Sequence, residues 1–266
     1  MNFHDHLRSS NLSPRTIIIY DQWIRRLERW CYQGRILPDR ITRAQLADWA
    51  DTLPATWATR KSARQALRHW VSWLGREDPL HEAIYVPPKV RYSCRALTVE
   101  DAHTLQETAV VYGGREGLVV LLGMYLAARR AEIAAMRWDG YAEGRMRFVR
   151  VKSGETADLP VHPVLAVALD AMQPRATSDY LFPGDRGRPH VSPTTVWEWV
   201  RHVGQLAEVE VTTHRLRHTA LATMNDATGD LRATQEVAGH RDPATTALYT
   251  RATKARVSAA VESLGY

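Results

Sequence analysis

The stretch TTHRLRHTALATMNDATGDLRATQEVAGHRDPATTALYTR, residues 212–251, decides how the chain is read. His214 and Arg217 stand three apart, and on a helix i and i+3 share a face, so one phosphate accepts from both. A Gly239-His240 pair follows, then Tyr249 inside a Thr-Thr-Ala-Leu-Tyr-Thr run. Basic donors and a phenol at these separations are what attack on a phosphate diester needs. Taken singly, each residue has a duller meaning. Tyr249 reads as a packing tyrosine, because a phenol with a pKa of about 10 is mostly protonated near neutrality, and His240 reads as a helix end. His214 and His218 have the spacing of a zinc pair. Arg215 and Arg217 between them oppose a cation, and no metal is expected.

Working outward, composition points to the same kind of partner. The 266 residues carry a formal charge of +6, which favours a polyanion. Of 35 basic residues only Lys61, Lys89, Lys152 and Lys254 are lysines. Arginine contacts phosphate through two parallel hydrogen bonds, although a GC-rich genome produces the same bias. Cys31 and Cys94 are too few for a disulfide scaffold or a thiolate metal site, which fits a reducing cytoplasm. The longest apolar run, 118–128, falls short of the roughly 20 residues that span a bilayer, and the N-terminus has no signal-peptide pattern.

In chain order, Ser13-Pro14 opens a helix to about 33, with Ile17, Tyr20, Ile24, Leu27 and Cys31 at helical spacing. Thr42 and Gln45 form a capping box before a second helix. A third, about 56–75, sets an apolar stripe of Ala63, Leu67, Trp70, Val71 and Leu74 against Arg60, Arg64 and Arg68. Six of the nine tryptophans lie in this first third, so a compact helical domain is expected over residues 1–80. Residues 1–86 hold 13 basic against 9 acidic side chains, most of the excess charge. That excess tilts the arginine stripe from a solvated helix face toward a DNA contact.

Residues 81–97, with Pro87-Pro88 and the basic Lys89, Arg91 and Arg95, read as a linker. Extended from Val86 to Ala96 it reaches about 35 Å, enough to pass the edge of a duplex. Residues 98–266 are expected to form a second, mainly helical domain. Its elements are a helix capped by Thr98 and ended by Gly113-Gly114, a buried helix at 116–128, and a short one over 131–136. A β-hairpin at 146–151 and 157–161 carries Lys152 at or near its turn. Further helices fall at 163–172, 193–207, 213–225, 230–238, 243–250 and 252–264.

The joint pattern resembles the tyrosine recombinase, or phage integrase, family. Its catalytic domain carries a first-box Arg, a hairpin Lys, a His-x-x-Arg, a later His or Trp, and a nucleophilic Tyr. HRLRHT at 214–219 and AGHRDPATTALYT at 238–250 match, with His240 and Tyr249 nine apart as in the family. AARRAEIAAMRWDG at 127–140 resembles the first box. There the Glu three residues on, with the later Arg-Trp-Asp, selects Arg129 over Arg130. The chain departs from the family pattern in two places: alanines replace the usual Gly-Leu before this Arg, and Arg215 follows the first His.

The resemblance implies a mainly α fold with a small β-sheet. An N-terminal helical core-binding (SAM-like) domain would precede a mixed α/β, mostly helical catalytic domain, without the arm-binding domain of larger integrases. It also implies roles. Arg129 and Arg217 clamp the scissile phosphate, His214 and His240 add hydrogen bonds, and Glu132 orients Arg129. Tyr249 attacks phosphorus, leaving a 3′-phosphotyrosyl link, while Lys152 protonates the departing 5′ oxygen. The bond energy stays in the link, so no cofactor, metal or ATP is expected, as in type IB topoisomerase chemistry. Arg60, Arg64, Arg68, Lys89 and Arg91 are the expected DNA contacts. The expected partner is double-stranded DNA, bound by a homo-tetramer that is a monomer free in solution, in the cytoplasm of a bacterial host. Phage-type integration and excision lead, a Xer-like resolvase of chromosome or plasmid dimers is the near alternative, and a non-catalytic DNA-binding regulator is the distant one.

Overall fold

A computed structural model describes residues 2–88, 96–151 and 153–239. The chain divides near residue 92 into two compact units.

Among the described residues the first unit is four α-helices and two short 3-10 turns around an aromatic and aliphatic core. α1 (Phe3–Ser9) is capped by Asn2, whose side chain accepts from the Asp5 N–H, and it buries Phe3 and Leu7. α2 (Pro14–Gln33) starts from the Ser13 cap and buries Ile17, Ile24, Leu27 and Cys31, the stripe that its spacing predicts. α3 (Arg43–Asp51) has the reciprocal capping box of Thr42 and Gln45. α4 (Trp57–Trp73), capped by Thr56, buries Ala63, Ala66, Leu67, Trp70 and Val71. Trp49 and Trp70 are among the largest fully enclosed side chains. α1 was not expected. Two apolar residues in seven give too short a run to register as a period, yet its Phe3 ring packs 5.8 Å from that of Trp73.

In the second unit α6 (Gly114–Leu126) is the axis, packed by α5 (Val99–Tyr112), α8 (Pro163–Met172), α9 (Pro193–Leu206) and α10 (Thr213–Thr228). Being covered on all sides, it is apolar on all sides, and Leu118 to Leu122 are buried without interruption. Two glycines allow the close packing. A Cβ at Gly117 would enter the Ala109 carbonyl of α5, and one at Gly123 would stand 2.9 Å from a methyl of Leu216 on α10.

α6 ends at Ala127, whose φ of +48° turns the chain sharply into α7 (Arg130–Ala134). A non-glycine residue in the left-handed region is uncommon and strained. This one sits two residues before Arg129.

A three-stranded antiparallel sheet of order β1-β2-β3 follows: β1 (Tyr141–Ala142), β2 (Arg145–Val149) and β3 (Thr156–Pro160). Met146 pairs with Leu159 and Phe148 with Ala157, which puts Met146, Phe148 and Leu159 on the buried face. The expected hairpin is present, each strand starting one residue earlier and ending one or two residues earlier than expected, and it is extended by β1, which at two residues is too short to show alternation. α11 (Leu231–Ala238) starts from an Asp230 cap and ends at Gly239 in the left-handed conformation. The fold is therefore mainly helical with one small sheet, as expected. The helices expected at 243–250 and 252–264 lie outside the described residues.

Candidate active site

Arg129 is the N-cap residue of α7, and the residue three later closes on it. One Glu132 oxygen accepts from the Arg129 backbone N–H at 2.8 Å, and the other pairs with Nη1 at 2.8 Å. Any residue but proline at this position offers the backbone N–H, but only a basic one also offers a side-chain cation. The Glu132 side chain is wholly enclosed while that of Arg129 keeps 21 % of its exposure. The anion is the inner member of the pair, and the cation is left facing outward.

Glu132 holds a second cation. Nη1 of Arg150, immediately after β2, lies 3.3 Å from Oε2, the oxygen that also accepts from the Arg129 backbone N–H. Arg150 is 2 % exposed, its guanidinium carbon lies 4.7 Å from the centre of the Phe148 ring, and its Nη2 donates to the Val237 carbonyl in the last turn of α11. Burial pulls its pKa down, opposed by the Glu132 charge, with Arg129 adding to the depression. Residue-type spacing did not single out Arg150. The signal present was the two-residue period: Met146, Phe148 and Arg150 all point inward, and an inward arginine needs an acid.

On α10, Thr212 caps the helix, His214 is exposed in the first turn, and Arg217 is 3 % exposed one turn on. The Arg217 guanidinium donates to two carbonyls from distant parts of the chain, Ala127 before α7 and Ala238 at the end of α11. One buried side chain thus joins the strained turn leading into Arg129 to the segment leading toward His240. His218 is half-buried; burial first, and then the His214 charge, hold its pKa below the usual histidine value.

The structure accordingly brings Arg129, Glu132 and Arg217 to one centre, with His214 on the same face of α10 as Arg217. It adds Arg150 to that centre. Lys152, His240 and Tyr249 lie outside the described residues, as do Lys89 and Arg91 of the linker. Of the arginine stripe in the first unit, Arg68 is exposed and Arg64 half-buried. The Arg60 side chain keeps only 12 % of its exposure, with Asp51 at 3.8 Å and the Tyr85 carbonyl at 3.5 Å. Arg64, Arg68, Lys61, Trp57 and His81 line a surface groove of about 320 Å³.

Residues 95–256 match the family described as phage integrase family. The tyrosine recombinase XerA of Thermococcus kodakarensis is 31% identical over 261 residues, covering 94% of this chain and 89% of its own. The tyrosine recombinase XerC 2 of Ralstonia nicotianae is 30% identical over 85% of this chain and 74% of its own. Among solved structures, a lambda integrase dimer bound to a COC′ core site superposes with a TM-score of 0.71 at 17% identity, covering 95% of this chain and 94% of that one. A XerH recombinase bound to its difH substrate gives 0.71 at 17%, over 92% and 78%.

Proposed function

The chain belongs to the phage integrase family of tyrosine recombinases, site-specific DNA strand-exchange enzymes, and we propose that it cleaves and rejoins duplex DNA through a 3′-phosphotyrosyl link on Tyr249. The observation that carries this reading is the double span of Arg217. Arg217 is buried and donates to the Ala127 and Ala238 carbonyls, which fixes its guanidinium between two segments and leaves the N–H groups not used there to meet the phosphate.

In the reaction Arg129 and Arg217 bind the two non-bridging oxygens of the scissile phosphate, and His214 adds a donor from the first turn of α10. The two arginines are fixed before DNA arrives, Arg129 by Glu132 and Arg217 by the Ala127 and Ala238 carbonyls. They gain strength as the phosphodiester monoanion becomes a phosphorane dianion, which is the condition for accelerating the chemical step. The Tyr249 phenol passes its proton to His214 as its oxygen forms the new P–O bond, the bond to the 5′ oxygen breaks, and Lys152 supplies the proton that oxygen takes. His240 completes the donor set. A 5′ hydroxyl from a second duplex reverses the step and exchanges strands.

The domain roles follow from the same reading. Residues 1–80 act as the core-type DNA-binding domain and 98–266 as the catalytic domain; of the expected linker 81–97, residues 81–84 belong to the first unit, where Ile84 is buried in the core. Arg64 and Arg68, with Lys89 and Arg91, carry backbone contacts, so affinity falls steeply with salt. Duplex DNA is the partner, and oligomers on DNA, including a tetramer at synapsis, are the working assembly. The DNA-bound dimer and the tetramer on a Holliday junction among the lambda integrase structures support that assembly.

A Xer-like resolvase uses every one of these steps, and the Xer relative matched over 94% of the chain supports that second reading of the substrate. A plasmid bearing two directly repeated sites, selected from a randomised pool of bound duplexes, separates them. Deletion within one plasmid without joining of two favours the resolvase, and efficient joining of two plasmids favours the integrase. Failure of both, with no strand exchange at any site the protein binds, contradicts the recombinase reading.

A further inference from the structure

Among the described residues three charged side chains are buried, Glu132, Arg150 and Arg217, and the proposed reaction uses Glu132 and Arg217. Arg150 stands where the β2 alternation calls for an apolar residue, and enclosing a cation there carries a desolvation penalty that only good partners offset. Its partners are both parts of the site. Glu132, the carboxylate that closes on Arg129, gives it one oxygen, and Val237, two residues before the end of the described α11 segment, gives it a carbonyl. The backbone at Gly239 is seated directly on it: a Cβ there would lie 2.9 Å from Arg150 Nε and 3.1 Å from its Cδ.

Two consequences follow. The Glu132 carboxylate has its plane set by three N–H groups, two from Arg129 and one from Arg150, so removing Arg150 frees it to swing and the Arg129 guanidinium swings with it. The four charged groups of the centre, three arginines and one glutamate, also sum to two positive charges, which equals in magnitude the dianion at the phosphorane.

We propose that Arg150 is a positioning residue for DNA cleavage: through Glu132 it fixes the guanidinium of Arg129, and through the Val237 carbonyl it ties the end of β2 to the last turn of α11. The inference rests on the recombinase reading above.

The test is single-turnover cleavage of a nicked duplex carrying the selected site, followed as covalent protein–DNA adduct, for wild type, Arg150→Met, Arg129→Ala and the double variant. A displaced clamp of this kind costs about 10²-fold in rate. Arg150→Met is expected to lower the cleavage rate constant by that factor, with DNA affinity changed by less than about threefold and the adduct endpoint retained. In the Arg129→Ala background the same substitution is expected to cost less than about threefold, because the residue it positions is gone.

A purely structural arginine gives a different result: a lower endpoint with an unchanged rate constant, or equal losses in both backgrounds. Either overturns the proposal. Arg150→Lys, which keeps a charge opposite Glu132 but cannot also span to Val237, is run through the same cycle should the methionine variant not fold. If wild type itself forms no adduct, the recombinase reading fails. If wild type forms it and Arg150→Met cleaves at the wild-type rate, only the positioning role fails.

Discussion

Replacing Glu132 by alanine is the perturbation whose size the structure fixes best. The side chain is wholly enclosed and accepts three N–H groups: Arg129 N at 2.8 Å, Arg129 Nη1 at 2.8 Å and Arg150 Nη1 at 3.3 Å. Alanine leaves a buried Arg150 with its one carbonyl partner and no counter-charge. Removing one member of a buried pair costs about 3–5 kcal/mol. For a unit of this size each kcal/mol lowers the midpoint by about 2–4 °C, so a fall of about 6–20 °C is expected.

Glutamine is the sharper probe. It has the same shape, but its amide NH2 would face a guanidinium N–H where the carboxylate presents an acceptor, so it recovers little of the loss. The assay is thermal unfolding of the intact chain followed by far-UV circular dichroism, with the unfolding of the second unit compared across wild type, Glu132→Ala and Glu132→Gln. A drop below about 2 °C for alanine, or recovery of wild-type stability by glutamine, refutes the argument that charge and acceptor geometry hold this centre together.

Three other expectations concern separate parts of the second unit. Arg217→Lys replaces a fork that reaches both Ala127 and Ala238 with a single ammonium that reaches one, and should lower cleavage by about 10²-fold or more, read as adduct formation rate; a change under about threefold contradicts it. Gly117→Ala drives a methyl into the Ala109 carbonyl between α5 and α6 and should destabilise by about 1–3 kcal/mol in urea unfolding, whereas a neutral result denies the close approach. His218 has its pKa lowered by burial and by His214, so the unfolded chain takes up the proton first and stability declines as pH falls through about 6.5. His218→Gln should flatten that part of the pH profile in the second unit, and an unchanged profile contradicts the assignment.

The parts of the fold that could be read in the sequence were those with a local physical cause. Ser13-Pro14, the Thr42–Gln45 box and Thr98 mark helix starts because a hydroxyl satisfying a backbone N–H three residues on is a short-range event. The apolar stripes of α2 and α4 are long enough to fix a face. α1 and β1 are too short to show a period, and it took the tertiary contact of Phe3 with Trp73 to stabilise the former.

The same distinction runs through the site. Arg129 and Glu132 are three residues apart and could be paired by eye. The span of Arg217 to Ala127 and Ala238 joins segments 90 and 21 residues away, which no local pattern encodes. Arg150 is the instructive case. Its inward phase was legible from the alternation of Met146 and Phe148, but its partners, 18 and 87 residues distant, were not. The basic stripe shows the converse. Spacing by four placed Arg60, Arg64 and Arg68 on one face, and could not say that Arg60 lies against Asp51 and Tyr85 while Arg68 stands open.

The most direct test of the central claim is the identity of the residue that holds DNA. Wild-type protein is trapped on the nicked site in the presence of chelator, the DNA is digested to its terminal nucleotide, and the protein is cleaved with trypsin. The sequence places Tyr249 alone of the tyrosines in the peptide 242–251, DPATTALYTR, bounded by Arg241 and Arg251. This peptide is expected to carry the mass of a 3′-nucleotide on Tyr249, and Tyr249→Phe to yield no adduct. A nucleotide on any other peptide, or an undiminished adduct from Tyr249→Phe, contradicts it.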